Sequence, residues 1–468
     1  MNVRIEALAN ELAITVLDGV QRKDFEEVFS TLKGFTGGSI KVDLKNLQYI
    51  KSDIIAQLLA LRRAADSKKA ALKLVNLSDG VLSAFETANL TKHFTIEQDY
   101  GSYTVSELIE LLHDDEQAEF ISIHIGLNFN EQYRKALLDA LKIDDPVLNE
   151  QALLSLGRAG DDASIDVIRS ALASQYPNVV CAAVLVLGWL GDAASKEKLY
   201  ELISSPEEAV SEACGASIAL LSDDGDPARL KTLLKDSEPP LRKVIANALA
   251  LINGGAAYNI LKEMLSKETI DDVRSVLVRK ISYFNNEDAT NTLIEALDDS
   301  SRKVQETAAA GLERTGLRGG EERVFKKISG DDWVSYFAVR ALGKHCSEKV
   351  ADYLTQRYPN LSGKVRLAVV EVLGAASYCT SFLAERLNED NEDIRREALS
   401  GLYRSNKPLA VEKAVQLAKG DPSWLVRFKA VEIIIAETPE GYRDILAEIR
   451  NSDANRYIQD KIDAVLGS

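Results

Sequence analysis

Residues 176–192, YPNVVCAAVLVLGWLGD, contain a pattern that returns through most of the chain. From Val179, an aliphatic residue is followed four positions later by a small or aliphatic residue and eight positions later by Leu or Ile. The pattern recurs about every 31 residues, an interval typical of helical repeats. Its starting residues are Leu148, Val179, Val210, Leu241, Val273, Val304, Val334, Val365, Ile394, Val426 and Ile458.

The three positions of the pattern share one helical face, because residues i, i+4 and i+8 lie above one another on a helix. We therefore expect each unit to open with a first helix whose small residues allow neighbouring helices to come close. The second positions are Ala152, Ala183, Cys214, Ile245, Leu277, Ala308, Ala338, Val369, Ala398, Ala430 and Ile462. The third positions are Leu156, Leu187, Ile218, Leu249, Ile281, Leu312, Leu342, Leu373, Leu402, Ile434 and Leu466.

A second amphipathic stretch separates consecutive first helices, as in PARLKTLLKD at 227–236 and GYRDILAEIR at 441–450. The turns predict helix caps, because those within units contain Gly and Asp and those between units contain Asp, Pro and Ser. The last unit, 454–468, has one helix, as expected of a terminal cap. An arginine directly follows the starting residue in five units, and we expect it to pair with acidic residues at the boundaries between units. These arginines are Arg242, Arg274, Arg366, Arg395 and Arg427.

The repeats resemble HEAT repeats, in the short bacterial form also found in phycobilin-lyase-like proteins. The resemblance rests on DDPVLNEQALLSLGRAGD at 144–161 and on the recurring Val-Arg pairs, and it covers residues 130–468. It implies an all-α right-handed superhelix of about ten helix pairs, a class of solenoid that usually presents surfaces to partners.

The amino-terminal part, residues 1–112, alternates strand and helix patterns, which predicts a small α/β layer domain. Ser78 and Asp79 offer N-caps for one of its helices. The predicted strands are 2–8, 11–17, 40–44, 71–76 and 93–98. The predicted helices are 22–33, 52–67, 78–90 and 104–115.

This part resembles a STAS domain, the fold of bacterial anti-sigma-factor antagonists, in its strand order, in LVNLS at 74–78 and in FETANLTKHFTI at 85–96. In that family the loop before the second helix reads Asp-Ser-Ser-Gly, and a partner kinase phosphorylates its first serine. Here the loop reads Lys51-Ser52-Asp53-Ile54, so only the serine is retained. The resemblance makes Ser52, Lys51 and Asp53 a candidate phosphorylation or partner-docking site. Alternatively, Ser52 is only the N-cap of helix 52–67.

Residues 113–129 join the two parts. HDDEQAE at 113–119 is a charged linker. In FISIHIGLNF at 120–129, apolar residues alternate with polar or small ones, which predicts a strand that could extend the amino-terminal sheet.

The composition of the chain bears on which partners it can bind and on where in the cell it is found. The net charge is −16, with 56 Lys and Arg against 72 Asp and Glu, so nucleic acid would be repelled unless a local basic groove overrides the field. No apolar run approaches the ~20 residues that a membrane span needs, so we expect no membrane insertion. No signal-peptide pattern is present, and the cysteines are far apart in the sequence, so we predict a cytoplasmic protein. The cysteines are Cys181, Cys214, Cys346 and Cys379.

Catalytic and cofactor patterns are missing from the sequence, and we expect neither an enzyme nor a cofactor. The histidines form no HxxxH or His-Glu pair, so metal ligation and a deoxyhypusine-hydroxylase-like activity are disfavoured. Adjacent His345 and Cys346 side chains would point apart, which argues against a nucleophilic dyad. We place Trp189, Trp333 and Trp424 in the core at unit junctions.

The interpretation is a protein–protein interaction scaffold or adaptor. The inner face of the solenoid, lined by second helices, would hold one protein partner, and the STAS-like domain would engage another, as in bacterial partner-switching or chemotaxis-like signal transduction. Two alternatives remain: a lyase-like protein that handles a tetrapyrrole-bearing client, and a structural component of a large assembly.

Overall fold

A computed structural model describes residues 2–8, 10–88, 90–114, 117–329, 332–361, 363–376 and 379–467. The chain divides into two compact units, Met1–Asp192 and Ala193–Ser468. The predicted fold class is confirmed, because a small sheet region precedes a long all-helical array. Within the described ranges, no helix is both long and apolar enough to cross a bilayer.

The first unit contains a five-stranded sheet followed by helices. Its strands are β1 (Val3–Ala7), β2 (Glu11–Val16), β3 (Ser39–Asp43), β4 (Ala71–Val75) and β5 (Thr95–Glu97). Its helices are α1 (Phe25–Gly34), α2 (Ser52–Ser67), α3 (Asp79–Thr87), α4 (Val105–Leu111), α5 (Ala118–Leu127), α6 (Glu131–Ala140), α7 (Pro146–Ala159), α8 (Ile165–Ser170) and α9 (Pro177–Trp189).

The sheet has the order β1-β2-β3-β4-β5. β1 and β2 are antiparallel, and the remaining neighbours are parallel, with Ile40 opposite Leu12 and Leu72. Alternate side chains of β2 and β3 enter one hydrophobic core with α1, α2 and α3, since successive strand residues point to opposite sides of a sheet. Polar pairs occupy other strand positions, such as Lys41 Nζ with Asp99 Oδ2 at 2.8 Å.

The strand predicted for 120–129 is wrong, because residues 118–127 form α5. Ile121 and Ile125 are also four apart, and both are fully buried, whereas Ile123 and Leu127 are exposed. α5 packs against α7, and Ser155 donates a hydrogen bond of 2.9 Å to Ser122 Oγ. The alternating pattern suits either structure, and the neighbouring helix decides between them.

α5 and α6 therefore form a helix pair ahead of the first repeat recognised in the sequence. α4, which the sequence analysis placed in the amino-terminal domain, packs against α6 and α5. The boundary predicted after residue 112 stays a prediction.

The second unit is helical throughout its described residues. Its helices are α10 (Lys196–Leu202), α11 (Glu208–Leu220), α12 (Asp226–Thr232), α13 (Pro239–Ile252), α14 (Gly255–Lys267), α15 (Asp271–Ile281), α16 (Glu287–Ala296), α17 (Arg302–Thr315), α18 (Glu321–Phe325), α19 (Trp333–Leu342), α20 (Glu348–Arg357), α21 (Gly363–Gly374), α22 (Thr380–Arg386), α23 (Glu392–Ser405), α24 (Lys407–Gly420), α25 (Trp424–Glu437), α26 (Tyr442–Ser452) and α27 (Arg456–Leu466).

The odd-numbered helices from α7 to α27 each carry one copy of the repeated pattern, and we call them first helices; the even-numbered helices between them are second helices. Every second position of the pattern is fully buried, from Ala152 in α7 to Ile462 in α27. Within each of the two compact units, a first helix packs directly on the first helix of the next repeat, as α7 does on α9 and α21 does on α23. The helical face predicted from the period is thus the packed face.

Small residues bring α21 and α23 close together. A Cβ added to Gly401 would lie 2.6 Å from Gly374 Cα, a backbone atom that has no freedom to rotate away. Glycine is therefore needed at Gly401 for the packing of these two helices.

Candidate functional site

The predicted docking residues lie at the start of α2 and are all exposed. Lys51 occupies the N-cap position, and Ser52 is the first residue of the helix. The N-cap interpretation of Ser52 is therefore wrong: the Lys51 carbonyl starts the helix, accepting bonds from Ile54 N and Ile55 N at 3.1 Å. A cap side chain must precede the first helical residue, and Ser52 is one position too late.

The surface around this helix start is shallow. A cavity of about 30 Å³ separates Asp18 from Tyr49 and Lys51. Tyr49 is 66% exposed, and Asp53 Oδ1 accepts a 3.0 Å bond from Ile54 N. The arrangement offers an accessible hydroxyl and an aromatic ring for contact with another protein. Phosphorylation of Ser52 stays a prediction.

Side chains with catalytic potential are dispersed. His345 Nε2 lies 3.1 Å from the Glu313 carbonyl oxygen, so its imidazole is already engaged. Burial raises the pKa of the Cys379 thiol to about 11, which disfavours the nucleophilic thiolate. Among the described residues, no group of three or more His, Cys, Asp or Glu side chains is placed to hold a metal ion.

The predicted arginine–acid ladder is present. Each of the five recurring arginines contacts an acid in the turn before the next first helix. The closest contacts are Arg242 with Glu268 at 2.7 Å, Arg274 with Asp299 at 2.8 Å, Arg366 with Glu389 at 3.4 Å, Arg395 with Asp421 at 2.7 Å and Arg427 with Asp453 at 2.6 Å. Four of these arginines also donate to carbonyl groups of the turn before their own helix. The ladder therefore clamps successive turns and is structural.

Two of the tryptophans expected in the core are only partly covered. Trp189 is 46% exposed, and Trp424 is 39% exposed. Trp424 stacks on Tyr457 with ring centres 5.7 Å apart, so it packs on a neighbouring first helix while one side stays open. Trp333 is half-buried, with the Arg302 guanidinium carbon 3.6 Å from its ring centre. The core packing expected of the three tryptophans at unit junctions is therefore only partial.

Second helices of the second unit form a groove with three consecutive cavities, which we call the α12–α18 groove. The cavity between α12 and α14 has a volume of about 410 Å³, that between α14 and α16 about 320 Å³, and that between α16 and α18 about 560 Å³. Each is closed at one side by the turn that follows a second helix. The groove arises from the repeat itself, because each unit contributes an equivalent wall.

Ion pairs connect neighbouring walls. Glu263 on α14 accepts a 2.6 Å hydrogen bond from Lys231 on α12 and a 2.7 Å bond from Lys267. The two lysines lower the pKa of Glu263 to about 2, so this carboxylate is ionised at neutral pH. Lys327 pairs with Asp298 between α16 and α18.

Each cavity also has a lysine without an acid. Lys235 lines the first cavity, Lys262 the second and Lys326 the third. All three are exposed, and none forms an ion pair with another residue in the described ranges. Sequence reasoning pointed to the second-helix side but missed these lysines. Lys235, Lys262 and Lys326 are 27 and 64 residues apart, so they do not share one repeat position and the period offered no signal for them.

Comparison with known families gives one match. The family described as HEAT repeats matches residues 134–219, 290–374 and 380–466, more than half of the chain. No curated protein matches the sequence.

Three solved structures align with this chain at low sequence identity and with TM-scores below 0.5. Kap121p bound to RanGTP aligns with a TM-score of 0.46 and 13% identity over 76% of this chain and 48% of that one. Kap121p bound to Nup53p aligns with a TM-score of 0.47 and 12% identity over 89% and 52%. The complex of CpcE and CpcF of phycocyanin lyase from Nostoc sp. PCC7120 aligns with a TM-score of 0.30 and 18% identity over 47% and 91%. The chain thus spans about half the length of the Kap121p chains.

Proposed function

Since the chain belongs to the HEAT-repeat family, we propose that it is a non-catalytic scaffold that binds one protein through its second helices and another through its amino-terminal α/β region. The α12–α18 groove carries this proposal. Three cavities of about 320 to 560 Å³ in a row provide a longer binding surface than a small metabolite needs.

The groove is suited to an extended protein segment. Its walls are second helices that bury their apolar side and present charged residues outward, as the Lys231–Glu263–Lys267 cluster does. Such a surface can hold a peptide along its length by contacts repeated from unit to unit.

The exposed start of α2 supports the second contact. Lys51, Ser52 and Asp53 lie beside Tyr49, and aromatic residues are enriched where proteins bind each other. We propose constitutive binding by this surface, in bacterial signal transduction of the partner-switching or chemotaxis-like kind. The resemblance to a STAS domain is the ground for this assignment.

Cross-linking with an amine-reactive reagent, followed by mass spectrometry of the full chain with its captured partner, tests the proposal. We expect cross-links from one partner to concentrate on Lys235, Lys262 and Lys326. Exposed Lys23 and Lys135, in the first unit, serve as internal controls for random reaction. Cross-links confined to first-helix lysines such as Lys303 would contradict a partner in the groove.

The two alternatives predict other outcomes. A lyase-like protein should purify with, or take up, a coloured tetrapyrrole, which absorption spectroscopy detects. A structural component should form larger particles as its concentration rises, which sedimentation detects. A colourless monomer with a cross-linked partner favours the scaffold.

A further inference from the structure

We propose that the segment bound in the α12–α18 groove is acidic, with Asp and Glu interspersed with apolar side chains. The inference rests on the proposed function and deepens it, because it states the chemistry of the partner.

The lining of the groove carries a net positive charge. The three cavities are lined by nine Lys and Arg and six Asp and Glu, whereas the whole chain has a net charge of −16. The groove is thus a local basic surface on an acidic protein. Charge complementarity across an interface favours an acidic partner and disfavours a basic one.

Three lysines of the groove form no ion pair within the described residues. The acids that line the groove are largely engaged by its own cations, as Glu263 is by two lysines and Asp298 by Lys327. One ammonium group per cavity is left without an acid among the described residues. Three such cations, one in each consecutive cavity, match three carboxylates along one segment.

A lysine near the end of a helix also stabilises the helix dipole, and Lys235 and Lys326 follow the last residues of α12 and α18. Lys262 lies within α14, five residues before its end, where this effect has faded. Stabilisation of helix ends therefore does not account for all three unpaired lysines.

Each cavity also has apolar lining residues, which together we call the apolar floor. Ile260 and Met264 line the first cavity, Leu265 and Ala296 the second, and Ile294 and Val334 the third. Nucleic acid would place a phosphate at nearly every step, and the interleaved acids Glu263, Glu295 and Asp298 would repel it. A peptide can direct its apolar side chains to the floor and its carboxylates to the lysines.

The size of the groove sets the length of the segment. Neighbouring packed helices lie about 10 Å apart, so four second helices span about 30 Å. An extended chain advances about 3.3 Å per residue and therefore needs about nine residues.

The test uses a fluorescein-labelled peptide of about ten residues that alternates Glu and Leu, with fluorescence anisotropy as the readout. Two comparison probes are the same peptide with Gln for every Glu and a thymidine decanucleotide. The groove variant is Lys235→Glu, Lys262→Glu, Lys326→Glu. Its control is Lys23→Glu, Lys135→Glu, Lys344→Glu, which changes the net charge equally at exposed lysines that make no ion pair within the described ranges. Circular dichroism and thermal melting check that both variants are folded.

We expect the Glu peptide to bind more tightly than the Gln peptide, and binding to weaken as salt rises. The groove variant should lose about tenfold or more in affinity, because three exposed ion pairs are replaced by repulsions, while the control variant changes less than about threefold.

Equal affinity for the Gln peptide, equal loss in both variants, tighter binding of the oligonucleotide, or no binding of the Glu peptide up to about 1 mM would each overturn the inference. If cross-links of the native partner still map to the groove in that case, the proposed function stands and only the acidic chemistry is wrong.

Discussion

The guanidinium of Arg395 donates two hydrogen bonds to the carboxylate of Asp421, at 2.8 and 2.7 Å, and both side chains are almost completely buried. Arg395 also donates to the carbonyl oxygens of Glu389 and Asp390, while Asp421 accepts from Ser423 N. The pair thus holds together the turns on either side of the α23–α24 helix pair.

Removing one member of this pair should destabilise the second unit strongly. Asp421→Ala leaves a guanidinium buried without its counter-ion, at a cost of about 3–5 kcal/mol. Asp463→Ala breaks the exposed pair between Asp463 and Arg450, whose side chains are 48% and 45% exposed, and should cost far less because solvent screens the two charges. Urea unfolding of both variants measures the difference. Equal costs would show that the buried ladder does not stabilise the fold.

Substitution at the α21–α23 contact should destabilise through crowding. In Gly401→Ala the new Cβ meets the Gly374 backbone, so the helices must separate at a cost of about 1–3 kcal/mol. Gly420→Ala, at the end of α24, has no atom within 4 Å of the added Cβ and should be neutral or slightly stabilising. Thermal melting distinguishes them, and an unchanged midpoint for Gly401→Ala would refute the close approach.

The repeat register can be tested within one helix. Ala308 on α17 is fully buried, whereas Ala310 on the same helix is exposed. Ala308→Asp should cost several kcal/mol because it buries a carboxylate without a partner. Ala310→Asp should change the unfolding free energy by about 0.5 kcal/mol or less. Similar costs at the two positions would mean that the packed face is misassigned.

Acid should weaken the ladder through Asp453. Hydrogen bonds from Arg427 at 2.6 and 3.0 Å hold the pKa of the Asp453 carboxyl below its ordinary value. Because the folded pKa is depressed, the stabilisation is complete above the unfolded pKa of about 3.9 and is lost as pH falls through the folded pKa. The difference in unfolding free energy between the native chain and Asp453→Asn should therefore shrink on acidification below about pH 4. A difference independent of pH would contradict this linkage.

The helix start at Ser52 offers a test of constitutive docking. Ser52 has no capping bond to lose, so Ser52→Ala should change stability by about 0.5 kcal/mol or less and leave partner capture intact. Phosphopeptide mapping should find no phosphate at this residue. Ser67→Asp at the other end of α2 is the control for Ser52→Asp. Stoichiometric phosphate with capture lost only in Ser52→Asp would instead indicate a switch.

The candidate site was accessible to sequence reasoning in part. The second-helix side followed from the period, whereas the lysines that distinguish its three cavities did not. Lys231 and Lys235 both look solvent-exposed in a helical pattern, yet Lys231 reaches Glu263, 32 residues further on, and Lys235 is left unpaired. Only the stacking of one unit on the next determines which cation finds an acid.

The repeat is evident from the amino-acid pattern alone. A small or aliphatic residue four positions after each starting residue is fully buried in every described first helix from α7 to α27, because a helix of 3.6 residues per turn brings positions i, i+4 and i+8 onto one face. The recurring arginines predicted the arginine–acid ladder in the same way. Both features depend on local spacing: the buried position recurs in all eleven first helices, and the arginine recurs in five of them.

Packing between helices settles the features that local spacing leaves open. Residues 120–127 suit a strand or a helix, and packing on α7 makes them helical. The close packing of Gly401 on Gly374, where an added Cβ would lie 2.6 Å from the Gly374 Cα, joins residues of different repeats. So does the pairing of Lys231 with Glu263, which leaves Lys235 without an acid. Such relationships depend on how neighbouring units stack, and no periodicity within one unit specifies them.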